Sequence, residues 1–166
     1  MKNLGFTLLE LLVTISIIGI LSSVFVLSQP NVKNELNLQR AAFQLVKDLR
    51  KAEELALATN FQDCQSGIFQ GYGIYFDTSN PYSYQLFLKC DSNRIEIRKI
   101  NFPQGTKISS LSQNPLEILF KPPDPSVCIN SSCWQKSEGE IAIFLEKNPS
   151  KIKRIKVNTA GKISIE

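Results

Sequence analysis

The 166-residue chain contains no histidine, a single methionine and a single tryptophan. The missing histidine excludes Ser-His and Cys-His nucleophilic pairs and every histidine-ligated metal centre. A strong charge of one sign is also missing. Nineteen Lys and Arg stand against fifteen Asp and Glu, an excess too mild to demand a nucleic-acid partner by itself. A local shortage says more. The twenty-two positions from Phe6 to Leu27 hold no Lys or Arg and one acid, Glu10. A helix of that length spans roughly 33 Å, about the thickness of a bilayer core, so the segment is able to cross a membrane. An ordinary signal anchor with Lys2 before it is the plainest interpretation. A cleavable secretory signal fits worse, because its apolar run is shorter and ends at a small-residue cleavage site.

What is present then sharpens the picture. A carboxylate at the centre of a membrane helix costs about 2.5–3.5 kcal/mol on insertion scales. Glu10 lies only about 6 Å along a helix from Phe6, so its side chain can reach towards the interface, yet an acid there still calls for a positive partner. Four cysteines, Cys64, Cys90, Cys128 and Cys133, follow the apolar segment. Behind a membrane-targeting segment an even count reads as disulfides in an oxidising compartment. Of the three connectivities we expect Cys64–Cys90 and Cys128–Cys133, which chain-entropy arguments value at about 3.5 and about 2 kcal/mol. A zinc site is the rival, although the spacing of Cys128 and Cys133 is at the edge of zinc usage; reduced structural thiols are the other alternative.

Pro30 and Asn31 interrupt the first helix or mark a bend. Leu38, Ala42, Leu45, Leu49, Ala52 and Ala56 then recur at alternating spacings of four and three up to about Asn60, drawing one apolar stripe that Phe43 and Val46 widen. Lys33, Arg40, Lys47, Asp48, Arg50, Lys51 and Glu53 lie largely off it. Helix from Phe6 to Asn60 would make a rod of roughly 80 Å, apolar in its first half and amphipathic in its second. From Phe61 the period changes to two. Strands are expected at 71–76, with glycines where another backbone comes close, at 82–88, around Ile95 and Ile97, at 116–120 and at 141–145. Asp77 to Pro81 is a turn. Residues 121–138 form a long connection rich in proline and stapled by Cys128 and Cys133, of the kind that is usually functional or disordered. The closing segment permits a register argument. A three-residue loop, Thr159-Ala160-Gly161, places Val157 opposite Ile163 and Ile155 opposite Ile165 on one face, with Lys156 opposite Ser164 and Arg154 opposite Glu166 on the other.

Gly5-Phe6-Thr7-Leu8-Leu9-Glu10 followed by an apolar helix resembles the processing signature of type IV pilins and type II secretion pseudopilins. The resemblance implies that a prepilin peptidase cuts between Gly5 and Phe6 and that Phe6 becomes N-methylated. It implies that Glu10 pairs with the Phe6 ammonium of a neighbouring subunit during assembly, which supplies the missing positive partner. The chain departs from the pattern in one place: many members carry proline where it has Leu27. Asp48 to Ala56, the Gly71–Phe76 strand and the Ile155–Ile163 hairpin together resemble the GspH/FimT branch of minor pseudopilins and minor pilins. An α+β, pilin-like fold is implied, a long N-terminal helix packed on antiparallel β-sheets. The implied organisation is a cleaved leader over residues 1–5, a transmembrane and filament-core helix over 6–29, an amphipathic helix over 30–60 and an extracytoplasmic β-rich domain over 61–166.

The expected role is a minor pilin or pseudopilin, a membrane-anchored structural subunit that enters or caps a type IV pilus or a type II secretion pseudopilus. Its partners would be the prepilin peptidase, other pilin or pseudopilin subunits, an inner-membrane assembly platform, and lipid before assembly. Its place would be the bacterial inner membrane, single-pass with the C-terminal domain outside the cytoplasm, then the filament. No catalytic residues, metal ligands or cofactor are expected; Asp91 to Asn93 and Asp124 match no calcium motif. The alternative is a DNA-binding minor pilin acting in DNA uptake. Some relatives of this branch bind DNA through a Gly-Arg-x-Arg ending, which here reads Gly161-Lys162-Ile163-Ser164. Arg154, Lys156 and Lys162 are the candidate DNA-binding residues, although basic residues on an edge hairpin also serve to block edge-to-edge pairing.

Overall fold

Residues 7–27, 30–58, 64, 67–91, 93–123, 126–133 and 137–166 are described in a computed structural model. The chain divides into two compact units, Met1–Leu36 and Asn37–Glu166.

The first unit holds helix α1, Leu8–Leu27, and the opening turns of helix α2, Pro30–Leu57. Every described side chain of α1 is exposed, and the helix is long and apolar enough to cross a membrane. Pro30, expected to interrupt or bend the helix, is the first residue of α2. A proline is well suited there, because its ring presets the helical φ and the missing N–H is one the first turn leaves unbonded anyway.

In the second unit, α2 buries the expected stripe, Leu38, Ala42, Leu45, Leu49, Ala52 and Ala56, together with Ala41. Val46 packs against the same core. Phe43 does not widen the stripe. It is 66 % exposed, because the helical rotation that buries Ala41, Ala42 and Leu45 turns position 43 outward. Asp48 departs the other way: expected off the stripe, it is buried, and its carboxylate accepts a 2.6 Å hydrogen bond from the Tyr84 hydroxyl.

Among the described residues nine strands follow: β1 (Phe69–Phe76), β2 (Ser83–Cys90), β3 (Asn93–Asn101), β4 (Thr106–Leu111), β5 (Leu116–Lys121), β6 (Ser126–Ile129), β7 (Glu138–Leu145), β8 (Asn148–Asn158) and β9 (Ile163–Ile165). They form two antiparallel sheets, ordered β3-β2-β1-β5-β6 and β4-β7-β8-β9. The architecture is α+β and agrees with the expected pilin-like fold. One core joins α2 to both sheets through Tyr72, Ile74 and Phe76 of β1, Leu116 and Ile118 of β5, Ile141 and Ile143 of β7, and Ile155 and Val157 of β8.

Three elements differ from the sequence pattern. Strand β4 is not announced, because its serines mask the period. Strand β6 lies inside the expected long connection and pairs with β5, Leu119 opposite Cys128. Ile95 and Ile97 alternate as expected, yet both are exposed, because β3 is the edge of its sheet and shifts register against β2 at Leu86/Phe87. The opposite face of this sheet carries a second apolar cluster of Phe87, Leu119 and Cys128 with Tyr75 and Cys133 against it. Gly73 makes room for it: a Cβ there would run into the Phe87 ring and the Ile118 carbonyl.

Candidate functional site

Gly5 and Phe6, the expected cleavage and methylation positions, lie outside the described residues. The structure begins to speak at Thr7. Its carbonyl accepts the first α1 hydrogen bond, from Leu11 N–H at 3.2 Å, and its hydroxyl accepts from Glu10 N–H at 3.3 Å. Thr7 is therefore the N-cap of α1, and Glu10 sits three residues into the helix. Thr-x-x-Glu is the capping-box pattern. It stands in the sequence, where Thr7 carries no role of its own in our reading.

Glu10 is the one charged residue of α1 and is exposed. A carboxylate in the first turn meets the positive end of the helix dipole, where N–H groups lack intrahelical partners. Farther along, hydroxyls fold back on the helix. Thr14 donates to the Leu11 carbonyl at 2.8 Å, Ser16 to Leu12 at 2.8 Å and Ser23 to Ile20 at 2.7 Å. Each such bond hides a donor that an apolar surrounding would leave unsatisfied. The side of α1 seen from outside is then apolar with a single acid near its start.

The cysteines stand where the adjacent pairing puts them. Cys64 is joined to Cys90 with Cα atoms 5.9 Å apart, and Cys128 to Cys133 with Cα atoms 4.0 Å apart. The first ties the approach to β1 to the end of β2. The second holds the turn after β6 over the outer cluster.

At the other end of the chain the hairpin has the expected register: Val157 opposite Ile163, Lys156 opposite Ser164, Ile155 opposite Ile165. Gly161 adopts φ 78°, the left-handed conformation that closes a three-residue loop. The Asn158 side chain accepts from Ala160 N–H at 3.1 Å and Lys162 N–H at 2.9 Å. Arg154 and Glu166 face each other through a pair of backbone hydrogen bonds. Their side chains part, however. The Lys156 ammonium reaches diagonally to Glu166 at 2.8 Å, and Arg154 turns to Glu140 of β7 at 3.2 Å. The hydrogen bond from Lys156 holds the Glu166 carboxyl below its ordinary range, and the same bond raises Lys156. Two of the three candidate DNA-binding cations are thus occupied by acids of this chain, and Lys162 is exposed.

A groove of about 640 Å³ runs between α2 and β3, floored by Leu55, Leu86 and Ile97. Arg98 of β3 reaches across to Asp48 of α2 at 3.5 Å. The Asp48–Tyr84–Arg98 set ties helix to sheet.

Residues 1–26 match a known family, the prokaryotic N-terminal methylation motif. The matched segment contains Gly5, Phe6, Thr7 and Glu10 and most of α1. It is the prepilin-type signal, and it implies processing by a prepilin peptidase and assembly with other pilins. No curated protein and no solved structure matches the chain.

Proposed function

We propose that this chain is a minor pilin or pseudopilin of the GspH/FimT type, made as a membrane-anchored precursor and assembled into or onto a type IV pilus or a type II secretion pseudopilus. One observation carries the reading: the methylation motif runs through a helix whose described side chains are all exposed, apolar but for a few hydroxyls and Glu10 as its one charge. A helix that is apolar all round requires either lipid or other helices. A filament of like subunits supplies both in turn, membrane before assembly and neighbouring helices after it.

In this reading residues 1–5 are the leader, cut between Gly5 and Phe6, and Phe6 is methylated. Residues 6–29 are the membrane and filament-core segment, 30–60 the amphipathic segment and 61–166 the extracytoplasmic domain. The Glu10 carboxylate recruits the Phe6 ammonium of the next subunit in an apolar setting, where a charge pair is far stronger than in water. The inner-membrane assembly platform and the other filament subunits are the remaining partners. In this reading the task of the chain is packing.

The test is Glu10→Ala. The variant is expected to insert and to lose its leader at the wild-type rate, as read by intact mass, but to be missing from sheared filaments. Normal incorporation into filaments would overturn the pairing.

A further inference from the structure

The groove between α2 and β3 is built wholly within the second unit. Two ties join helix and strand at one end of it. The Gln44 side-chain amide donates to the Asn101 carbonyl at 3.2 Å, and Arg98 meets Asp48 at 3.5 Å. Farther along α2 the groove follows Lys51 and Leu55, over a floor that Leu86 and Ile97 complete. Strand β3 is poorly covered here. Residues 93–99 are all exposed, and Ile95 and Ile97 are 46 % and 48 % exposed. The strand also carries an extra residue at the groove. Glu96 stands opposite Phe87 and Arg98 opposite Leu86, which leaves Ile97 between them without a partner in β2. A bulge of this kind re-aims a side chain, and Ile97 lines the groove.

Among the described residues β3 pairs with β2 alone. Its other edge faces no strand, and such an edge is a template for an added one. Charge then selects the occupant. The groove is lined by four cations, Lys47, Arg50, Lys51 and Arg98, against two acids, Asp48 and Glu54. Asp48 is already engaged by the Tyr84 hydroxyl. Arg50–Glu53 and Lys51–Glu54 are i,i+3 pairs with half-exposed cations, of a kind weak enough to exchange partners. The strand adds the same sign, with Arg94, Arg98 and Lys99 against Glu96. A second copy joining through this edge would bring two net-positive strands together, and like charges facing across strands repel. An acidic strand meets the opposite sign along its whole length.

We propose that the groove and the open edge of β3 form one docking site for an extended, acidic segment of a partner protein. The segment adds beside β3 and bonds to its main chain. Its groove-facing side chains, two residues apart, place an apolar group on Leu55, Leu86 and Ile97 and acids against Lys47 and Lys51. The main-chain half of this recognition is what a small anion or a nucleic acid lacks. The site is independent of the prepilin reading, because none of its residues belongs to the anchor.

The test uses the full-length chain in non-ionic detergent micelles and a fluorescein-labelled probe, Thr-Asp-Thr-Ile-Thr-Glu-Thr, whose Asp, Ile and Glu share one face when extended. Fluorescence anisotropy is expected to show saturable binding that weakens as salt is raised. The isomer Thr-Thr-Asp-Ile-Glu-Thr-Thr sets isoleucine and acids on opposite faces and is expected to bind more weakly. The double variant Lys47→Glu/Lys51→Glu should weaken the first probe roughly tenfold or more and should gain affinity for Thr-Lys-Thr-Ile-Thr-Lys-Thr. Both lysines are exposed, so the fold should stand, as circular dichroism checks. N-methylation of the probe at its threonines, or instead at its Asp, Ile and Glu, should abolish binding in one case only, because alternate residues of a strand aim their N–H groups at opposite edges. No saturable binding, equal affinity for the two isomers, or an affinity untouched by the lysine reversals would overturn the proposal. So would equal effects of the two methylation patterns. Tighter binding of a labelled oligonucleotide, lost in the same variant, would give the groove to nucleic acid instead. Self-association lost in Ile97→Glu, with no probe bound, would give it to a second copy; either result overturns the acidic segment.

Discussion

The Tyr84–Asp48 pair is the clearest case of a residue whose role comes from its surroundings. Tyr84 is among the most buried side chains, and its hydroxyl donates to a buried carboxylate. Burial, and then the hydrogen bond to Asp48, push the phenol far above the usual tyrosine value. The folded chain therefore holds this proton more tightly than the unfolded chain. The stability it contributes is complete below about pH 10, the unfolded tyrosine value, and is lost as pH rises beyond it. Tyr84→Phe leaves Asp48 without this donor and is expected to cost about 1.5–3 kcal/mol at neutral pH, measured as a shift in urea midpoint. The same variant should show a shallower loss of stability between pH 10 and 11 than wild type. Some slope should remain, because Tyr82, hydrogen-bonded to Glu146, is raised as well. An unchanged alkaline slope would show that Tyr84 does not control it.

At the scale of elements, the five-stranded sheet is covered on both faces, and different devices do the covering. Helix α2 takes the inner face with its Leu and Ala stripe. The outer face is served by Phe87, Leu119 and the Cys128–Cys133 turn. Replacing Cys128 and Cys133 by serine removes a short loop closure, worth about 2 kcal/mol, whereas removing Cys64–Cys90 should cost about 3.5 kcal/mol. Thermal unfolding of the two double variants checks the order: a larger drop for the Cys128/Cys133 pair would mean that the staple contributes packing over Phe87 beyond its loop entropy. The closing hairpin makes a subtler statement. Because Lys156 bonds to Glu166, an NMR titration should find the Glu166 carboxyl below the ordinary glutamate range, and Lys156→Ala should return it upward.

For the whole molecule, the two units have opposite needs. Among the described residues, the core that joins α2 to both sheets begins at Leu38, while the apolar side chains of α1 are exposed. A chain shortened to residues 37–166 should therefore fold and stay soluble without detergent. Far-ultraviolet circular dichroism with cooperative melting, and a monomer on gel filtration, would be the expected result; aggregation would show that residues before Asn37 are needed to complete the core. The full-length chain, in contrast, should require detergent or lipid.

How much of this the sequence alone determined follows from the range of the interactions involved. The apolar run of α1, the buried stripe of α2 and the register of the β8–β9 hairpin were legible because each depends on neighbours within a turn or a strand pair: a period of 3.6, a period of 2, a glycine at a left-handed position. The motif around Gly5 and Glu10 was legible because it is a local signal. Tertiary structure decided the rest. Asp48 looked like a solvent-facing charge until Tyr84 and Arg98, distant in sequence, closed on it. Phe43 looked like part of the stripe until the rotation of α2 turned it out. Phe87 sat among alternating polar positions, and only the fold of the Cys128–Cys133 turn over the opposite face gave it a core to join. Strand β6, four residues that follow Pro122, Pro123 and Pro125 in the long connection, could not be read from the sequence, because what makes it a strand is β5 beside it. Local pattern chooses the element, and long-range contact chooses which of its faces is wet.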